Sequence, residues 1–154
     1  MRIEKDFKEF IGLLNKNKVK YLIVGGFAVA YYATPRYTKD IDVFIDTSQE
    51  NSIRLMNTLN RFGFGNIGLK EEDFQKSDQI IQLGYAPVRI DIITSIVGVE
   101  FENAWMKKVE GKYGDISCFF ISLEDLIRNK QAAARPQDLA DIKSLGKYGP
   151  SSHK

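Results

Sequence analysis

Histidine and cysteine are almost absent from this chain of 154 residues, since each occurs once, as His153 and Cys118. A single cysteine excludes a disulfide within the chain and is typical of a reducing, cytoplasmic setting. We expect Cys118, in the apolar run 116–120, to be a buried strand residue. A single histidine argues against zinc sites and against histidine-based catalysis.

Long hydrophobic runs and a strong net charge are also missing. No apolar run approaches the roughly 20 residues that cross a bilayer, and charges throughout residues 1–18 do not resemble a signal peptide. A net charge of +2 is too small to indicate a nucleic-acid partner by itself. We expect one domain over residues 1–146, a flexible tail over 147–154 and no membrane association.

Three aspartates stand out in strand-forming sequence. Asp40 and Asp42 lie in residues 39–45 (KDIDVFI), and Asp91 lies in residues 88–93 (VRIDII). Side chains two apart on a strand share a face, so Asp40 and Asp42 project together while their apolar neighbours turn to a core. If the Asp91 strand pairs alongside, three carboxylates converge and their repulsion requires a cation. Hard divalent ions such as Mg²⁺ prefer such oxygen ligands.

A glycine pair, Gly25 and Gly26, lies between the apolar stretches 21–24 and 27–33. The order predicts a buried strand, a sharp turn and a helix, whose free N-terminal amides would suit a phosphate. The third glycine of a dinucleotide fingerprint and the Gly-Lys-Ser/Thr of a P-loop are both missing. An ordinary tight turn is the alternative interpretation.

Positive charge lies between the glycines and the first aspartates, at Arg36 and Lys39. Pro35 ends the preceding helix. The two cations either clamp a phosphate or leaving group, or form a solvated loop that softens the repulsion among the aspartates. The sequence leaves both interpretations open.

Periodicity outlines the remaining elements. A helix capped by Ser48 or Thr47 should end at Gly63, with four apolar residues inward: Ile53, Leu55, Met56 and Leu59. Further helices are predicted over 4–17, 26–33, 101–106 and 122–134 and from 136 onward. Strands are predicted over 20–24, 41–45 and 117–120, with a hairpin of 79–83 and 88–93 and an irregular segment over 63–78. Asp138 and Asp141 are predicted to cap the last helix or to pair with Arg128 and Arg135.

The features occur in the order Gly25-Gly26, Arg36-x-Thr38-x-Asp40-x-Asp42 and then Asp91. This order resembles the nucleotidyltransferase superfamily of DNA polymerase β type, above all its small prokaryotic members. These are the minimal nucleotidyltransferases, the abortive-infection toxins and the antibiotic nucleotidyltransferases. The runs 121–130 and 135–141 are similar to the tail of those proteins, so the resemblance spans about 21–145. Many members carry Gly-Ser at this turn, and this chain has Gly26 in place of the serine. Only backbone amides are then available at the turn to bind a phosphate.

The resemblance implies an α+β fold, in which helices flank a small, mixed, twisted sheet and residues 122–146 form a short helical part. It implies transfer of a nucleoside monophosphate from an NTP such as ATP to a hydroxyl. Asp40, Asp42 and Asp91 would be catalytic residues and ligands of two Mg²⁺ ions, with Mn²⁺ as a substitute and Asp91 as general base. Nucleotide contacts would come from Gly25, Gly26, Arg36, Thr38, Lys39 and Lys130. A surface lysine is the alternative interpretation of Lys130.

The acceptor stays open among transfer RNA or other RNA, a protein, and a small molecule such as an antibiotic. A toxin with an antitoxin partner is implied by resemblance alone. Two other functions would use the same carboxylates. A metal-dependent phosphodiesterase or nuclease would use water in place of the acceptor hydroxyl, and a non-catalytic module would bind a nucleotide or a protein without turnover.

Overall fold

The computed structural model describes residues 4–33, 40–64, 67–85 and 88–146, and these form a mixed sheet flanked by helices. The strands are β1 Tyr21–Val24, β2 Asp40–Ile45, β3 Ile80–Tyr85, β4 Val88–Ile93, β5 Val109–Tyr113 and β6 Ile116–Phe120. The helices are α1 Lys5–Lys16, α2 Gly25–Tyr32, α3 Gln49–Phe62, α4 Phe101–Met106, α5 Leu123–Ala133 and α6 Pro136–Gly146, and Glu71–Phe74 is a 3-10 turn. The predicted α+β class is confirmed.

The strand order β3-β4-β2-β1-β6-β5 places the two aspartate-bearing strands side by side. β2 runs parallel to β4 and antiparallel to β1, while β1 runs parallel to β6. β3 and β5 pair as hairpins with β4 and β6, at the two edges of the sheet. All four residues of β1 are buried, as expected of a central strand covered on both faces. The predicted pairing of the Asp91 strand with β2 is therefore present.

Helix α1 covers the sheet with one apolar stripe. Its inward residues Phe7, Phe10, Ile11 and Leu14 have no exposed surface, which confirms the face predicted from their helical spacing. Burying each such side chain contributes about 1.5–3 kcal/mol. The Phe7 ring meets the Phe27 ring edge-on at 5.5 Å, so α1 also holds α2, the helix that follows the glycine pair.

Helix α3 has the predicted ends but a rotated face. Ser48 accepts a hydrogen bond from the Asn51 backbone N–H, and Gly63 follows the helix with φ of +101°. Leu55 and Leu59 are buried as predicted, but Ile53 is 40% exposed, so its predicted inward position is wrong. The reason is that Asn51 faces the sheet instead. Its side chain is buried because it bonds the backbone of residues 20 and 46.

Other differences from the sequence prediction are local. Strand β5 was not predicted, and the irregular segment contains the 3-10 turn, whose Phe74 is buried. Cys118 is buried on β6, as predicted. Within the described ranges, no helix is both long enough and apolar enough to span a bilayer. The C-terminal helical part begins at Ser122, whose hydroxyl accepts the Asp125 backbone N–H and caps α5.

Candidate active site

The three predicted carboxylates meet on one face of the sheet. Asp42 on β2 stands directly opposite Asp91 on β4, and Asp40 stands opposite Arg89. Neighbouring strands lie about 4.8 Å apart, and residues in register point to the same face. Asp91 is nearly buried, and Asp40 and Asp42 are half-buried. The alternation of side chains along β2 therefore brings both of its aspartates beside Asp91.

This crowding perturbs Asp42. Burial is the largest cause that raises the pKa of the Asp42 carboxyl, to about 7. The negative charges of Asp91 and Asp40, and a hydrogen bond with Asp91, act in the same direction. The Arg89 guanidinium opposes them. The site therefore carries more negative charge than the protein itself neutralises, which is the electrostatic condition for binding a cation.

Gly25 places the start of α2 against Asp42. Its φ is +65°, a conformation that L side chains rarely adopt. A Cβ atom at this position would also overlap Asp42 Oδ2. Val24 precedes the helix in an extended conformation and makes no side-chain cap, so the first amides of α2 are open to an anion. Gly26, the next residue, belongs to the same first turn.

Arg89 is a site residue that the sequence analysis did not assign. Its Nη2 donates to Asp40 Oδ2 at 2.6 Å and to Asp91 Oδ2 at 3.2 Å, and its Nε donates to Asp91 Oδ1 at 3.1 Å. The spacing of two between Arg89 and Asp91 on a strand was the available signal, because such residues share a face. The guanidinium links the two neighbouring strands through their carboxylates.

A cleft of about 460 Å³ opens at this face, between the sheet and α5. One part of its lining carries Gly25, Asp42 and Asp91 together with the cationic Lys130 and Arg135. A second set is mostly apolar, with Ile80 on the edge strand, Ile93 on β4 and the loop residues Ile96 and Val97, and it also includes the polar Ser95 and Asn129. We call the first set of residues the charged wall and the second set the apolar wall.

Lys130 lines the cleft but is almost fully buried. The alternative interpretation of Lys130 as a surface lysine is therefore wrong. Its ammonium lies 3.2 Å from Asp138 Oδ1 and 2.9 Å from Asp141 Oδ2. A hydrogen bond from Arg135, whose Nε lies 2.6 Å from Asp138 Oδ2, is the main cause that lowers the pKa of Asp138 to about 2. The ion pairs fix α6 on α5.

The pairing predicted for Asp138 with Arg135 is thus present. Arg128 instead lies 3.3 Å from Glu124 and 3.5 Å from Asp125, so its predicted pairing with Asp138 or Asp141 is wrong. The i, i+3 and i, i+4 spacings within α5 place its guanidinium against these two acidic residues. Three further predicted nucleotide contacts, Arg36, Thr38 and Lys39, lie outside the described residues.

Sheet order, paired aspartates and a glycine turn at the start of α2 are the features expected of a nucleotidyltransferase. A family model described as "nucleotidyltransferase of unknown function (DUF6036)" matches residues 1–149, and the chain belongs to this family of enzymes. Comparison with curated proteins gave no match. The crystal structure of the lincosamide antibiotic adenylyltransferase LnuA, bound to lincomycin, is similar, with a TM-score of 0.62. It shares 21% identity, covering 94% of this chain and 97% of that chain, which shows a common fold.

Nucleotidyltransferases generally use divalent metal ions, and the donor set here suits one. Carboxylate oxygens are the ligands that Mg²⁺ and Mn²⁺ prefer, and the charges of Asp91 and Asp40 add to burial in raising the pKa of Asp42. In the described part of the chain, however, no group of three or more histidine, cysteine, aspartate or glutamate side chains stands ready to hold a metal ion. Arg89 already engages Asp40 and both oxygens of Asp91.

Proposed function

We propose that this enzyme moves a nucleoside monophosphate from a nucleoside triphosphate to an acceptor hydroxyl, with Mg²⁺ or Mn²⁺ at its carboxylates. The observation that carries the proposal is the direct pairing of Asp42 with Asp91, beside the glycine at the start of α2. This juxtaposition supports the proposal, because it would bring cation ligands and phosphate-binding amides to one point. Phosphoryl and nucleotidyl transfer require both, because catalysis depends on positioning and on charge stabilisation.

In the proposed reaction, the acceptor oxygen forms a bond to the α-phosphorus as the bond from that phosphorus to the β-bridging oxygen breaks. Pyrophosphate leaves with the electron pair of the broken bond. The hydroxyl proton passes to Asp91, which serves as general base. When bound, the divalent metal supplies positive charge to the phosphates and lowers the pKa of the hydroxyl.

The charged wall of the cleft suits the triphosphate. The open amides of Gly25 and Gly26 at the start of α2 would receive phosphate oxygens on one side. Lys130 and Arg135 would provide cations on the other side. Arg135 fits this role because its side chain is 74% exposed while Asp138 holds its guanidinium in place. Arg36, Thr38 and Lys39 complete the proposed set of nucleotide contacts.

The apolar wall supports a small organic acceptor rather than a polyanion. Ile80 is 64% exposed and Val97 is 53% exposed, although both line the same cleft as Asp42 and Asp91. An exposed apolar surface beside catalytic carboxylates is typical of a ligand site. A nucleic acid would instead require cations along this wall. We therefore propose as acceptor a hydroxyl-bearing small molecule with an apolar part, for which the lincomycin-bound LnuA structure is a precedent.

A double substitution tests the transfer reaction. Asp40→Ala with Asp42→Ala should lower transfer of label from an α-labelled NTP by on the order of 10³-fold or more. The acceptors are total RNA, total protein and a panel of hydroxyl-bearing antibiotics. Asp46→Asn, at the end of β2 outside the cleft lining, is the matched control and should retain activity.

The same assay separates the alternative functions. Unchanged transfer by the double variant would rule the assignment out. Free nucleoside monophosphate or cleaved RNA without a labelled adduct would identify a phosphodiesterase or nuclease. Metal-dependent nucleotide binding by calorimetry, with no product from any acceptor, would identify a non-catalytic module.

A charge placed on the apolar wall tests the acceptor class. Ile80→Glu should raise the KM for a small-molecule acceptor about tenfold, with nucleotide affinity unchanged, because it places a carboxylate where an apolar group binds. Met106→Glu is the control, since Met106 is 82% exposed on α4 and does not line the cleft. Preferred labelling of RNA, with no response to Ile80→Glu, would reject the small-molecule acceptor.

A toxin role and an antitoxin partner rest on the resemblance alone. Expression of the wild-type chain in growing bacteria should then arrest growth, and the double aspartate variant should not. Growth that continues at equal protein level with the active enzyme would reject the toxin role.

A further inference from the structure

Arg89 stands where a cation of this site would bind. It lies opposite Asp40 in the β2–β4 register and two residues before Asp91 on the same strand. Its guanidinium donates to Asp40 Oδ2 and to both carboxylate oxygens of Asp91, at 2.6–3.2 Å. Its side chain is 35% exposed, whereas that of Asp91 is 10% exposed. The guanidinium thus closes over Asp91 from the solvent side of the sheet.

A guanidinium in this position competes with a metal ion for the same oxygens. Arginine stays protonated at every physiological pH, so its positive charge is permanent. A divalent ion that engaged the same Asp91 oxygens would lie within a few ångströms of that charge and be strongly repelled. Within the described residues Arg89 donates no hydrogen bond to Asp42, and it donates to only one oxygen of Asp40. These two aspartates keep ligand capacity for an ion.

We propose that Arg89 permanently fills one of the two cation positions of this nucleotidyltransferase, so that the enzyme binds a single divalent ion per chain together with its nucleotide. The inference rests on the proposed function and departs from the two ions implied by the family resemblance. Arg89 is a positioning residue: it holds the Asp91 carboxylate against β2. The remaining ion is held by Asp40 and Asp42.

The metal stoichiometry tests this inference without relying on turnover. Mn²⁺ bound per chain is counted by electron paramagnetic resonance in the presence of a non-hydrolysable NTP analogue, after subtracting the Mn²⁺ bound to the free analogue. We expect one ion in the wild type and in Arg89→Lys, which keeps the positive charge. In Arg89→Met we expect two ions, and an affinity for the first that is about tenfold higher because a neighbouring positive charge is gone.

The control is Arg54→Gln, which removes an exposed arginine paired with Glu50 at 2.6 Å and should bind one ion. If Arg89→Met does not fold, Arg89→Gln replaces it. The number of Mn²⁺ ions bound by the wild type tests the inference in either case. Two ions in the wild type, or one ion in a folded Arg89→Met variant, would overturn the inference. The labelled-transfer assay judges the proposed function separately, since it scores product and not ions. No Mn²⁺ in any variant would overturn the inference even where transfer is observed.

Discussion

Gly25 and Asp42 lie so close together that residue 25 has no room for a side chain. A Cβ atom there would overlap the Asp42 carboxylate, and the backbone of Gly25 is in the left-handed region at φ of +65°. Two independent constraints therefore require glycine at this position. The contact joins the turn that would receive phosphate to the strand that would hold the metal ion, so neither can shift without the other.

Gly25→Ala should lower the free energy of unfolding by about 2–4 kcal/mol, because it adds backbone strain to a steric overlap. Denaturant unfolding measures the change. Gly12→Ala is the matched control, since Gly12 lies inside α1 with open space around it. This substitution should raise the free energy of unfolding by about 0.5–1 kcal/mol.

A double-mutant cycle isolates the contact. Asp42→Ala removes the overlapping oxygens, so it should restore at least about 1 kcal/mol of the loss caused by Gly25→Ala. Strictly additive effects would show that the strain at residue 25 is independent of Asp42.

Asp42→Asn should change how stability depends on pH. The pKa of Asp42 is raised from 3.8 to about 7 in the folded protein, chiefly by burial. Between these values the folded state holds a proton that the unfolded chain has released, so stability falls as pH rises through this interval. Asparagine cannot ionise, so at pH 8 the free energy of unfolding of the variant should be higher than that of the wild type by on the order of 2 kcal/mol. Unfolding measured from pH 4 to pH 8 gives the difference.

Asp115→Asn provides a control of opposite sign. The Lys8 ammonium lowers the pKa of Asp115, so this aspartate stabilises the fold above its ordinary pKa and loses that effect as pH falls. A wild-type curve that runs parallel to that of Asp42→Asn across the whole interval would contradict the raised pKa of Asp42.

Lys130→Met should cost about 3 kcal/mol of stability, because it leaves the buried carboxylates of Asp138 and Asp141 without their shared ammonium. Thermal and denaturant unfolding measure this loss. Lys8→Met is the control: Lys8 forms an ion pair with Asp115 at 2.6 Å, but both are exposed, so its loss should be under about 1 kcal/mol. Equal losses from the two variants would show that burial adds nothing to the Lys130 pairs.

Arg135→Gln should weaken nucleotide binding about three- to tenfold, because it removes a guanidinium from the charged wall of the cleft. Stability should also fall by about 1–2 kcal/mol, because the buried carboxylate of Asp138 loses this donor. Titration with a fluorescent NTP analogue gives the dissociation constant. Arg128→Gln, an exposed arginine on α5 outside the cleft lining, should bind the nucleotide like the wild type. Equal affinities in all three proteins would exclude Arg135 from the nucleotide site.

The local part of this site was predictable from sequence because alternation along a strand decides which face a side chain takes. Asp40 and Asp42 share a face for that reason, and the order of glycine turn and aspartate strand identified the superfamily. Adjacency of β2 and β4 is different, since it depends on pairing between distant segments. The resemblance supplied what periodicity alone left open.

The features that the sequence analysis did not predict correctly have physical causes. Strand β5 reads Val-Glu-Gly-Lys-Tyr, and only its last residue, Tyr113, is buried. The glycine and two charged residues in between give its sequence a weak strand signal. Lys130 was open to interpretation as a surface residue because its partners, Asp138 and Asp141, lie on the next helix. Ile53 is exposed, whereas Asn51 faces the sheet because its side-chain amide hydrogen-bonds to the backbone of residues 20 and 46. Each case depends on a tertiary partner that local pattern does not reveal.

The Arg89–Asp40 bond joins residues 49 positions apart, and this separation has a consequence for biosynthesis. The ribosome adds residues from the N-terminus, so the first two carboxylates emerge long before the third. Arg89 is incorporated two residues ahead of Asp91, and the nascent β4 therefore carries its own countercharge when it reaches β2. The positive charge and the last negative one therefore reach the assembling sheet together.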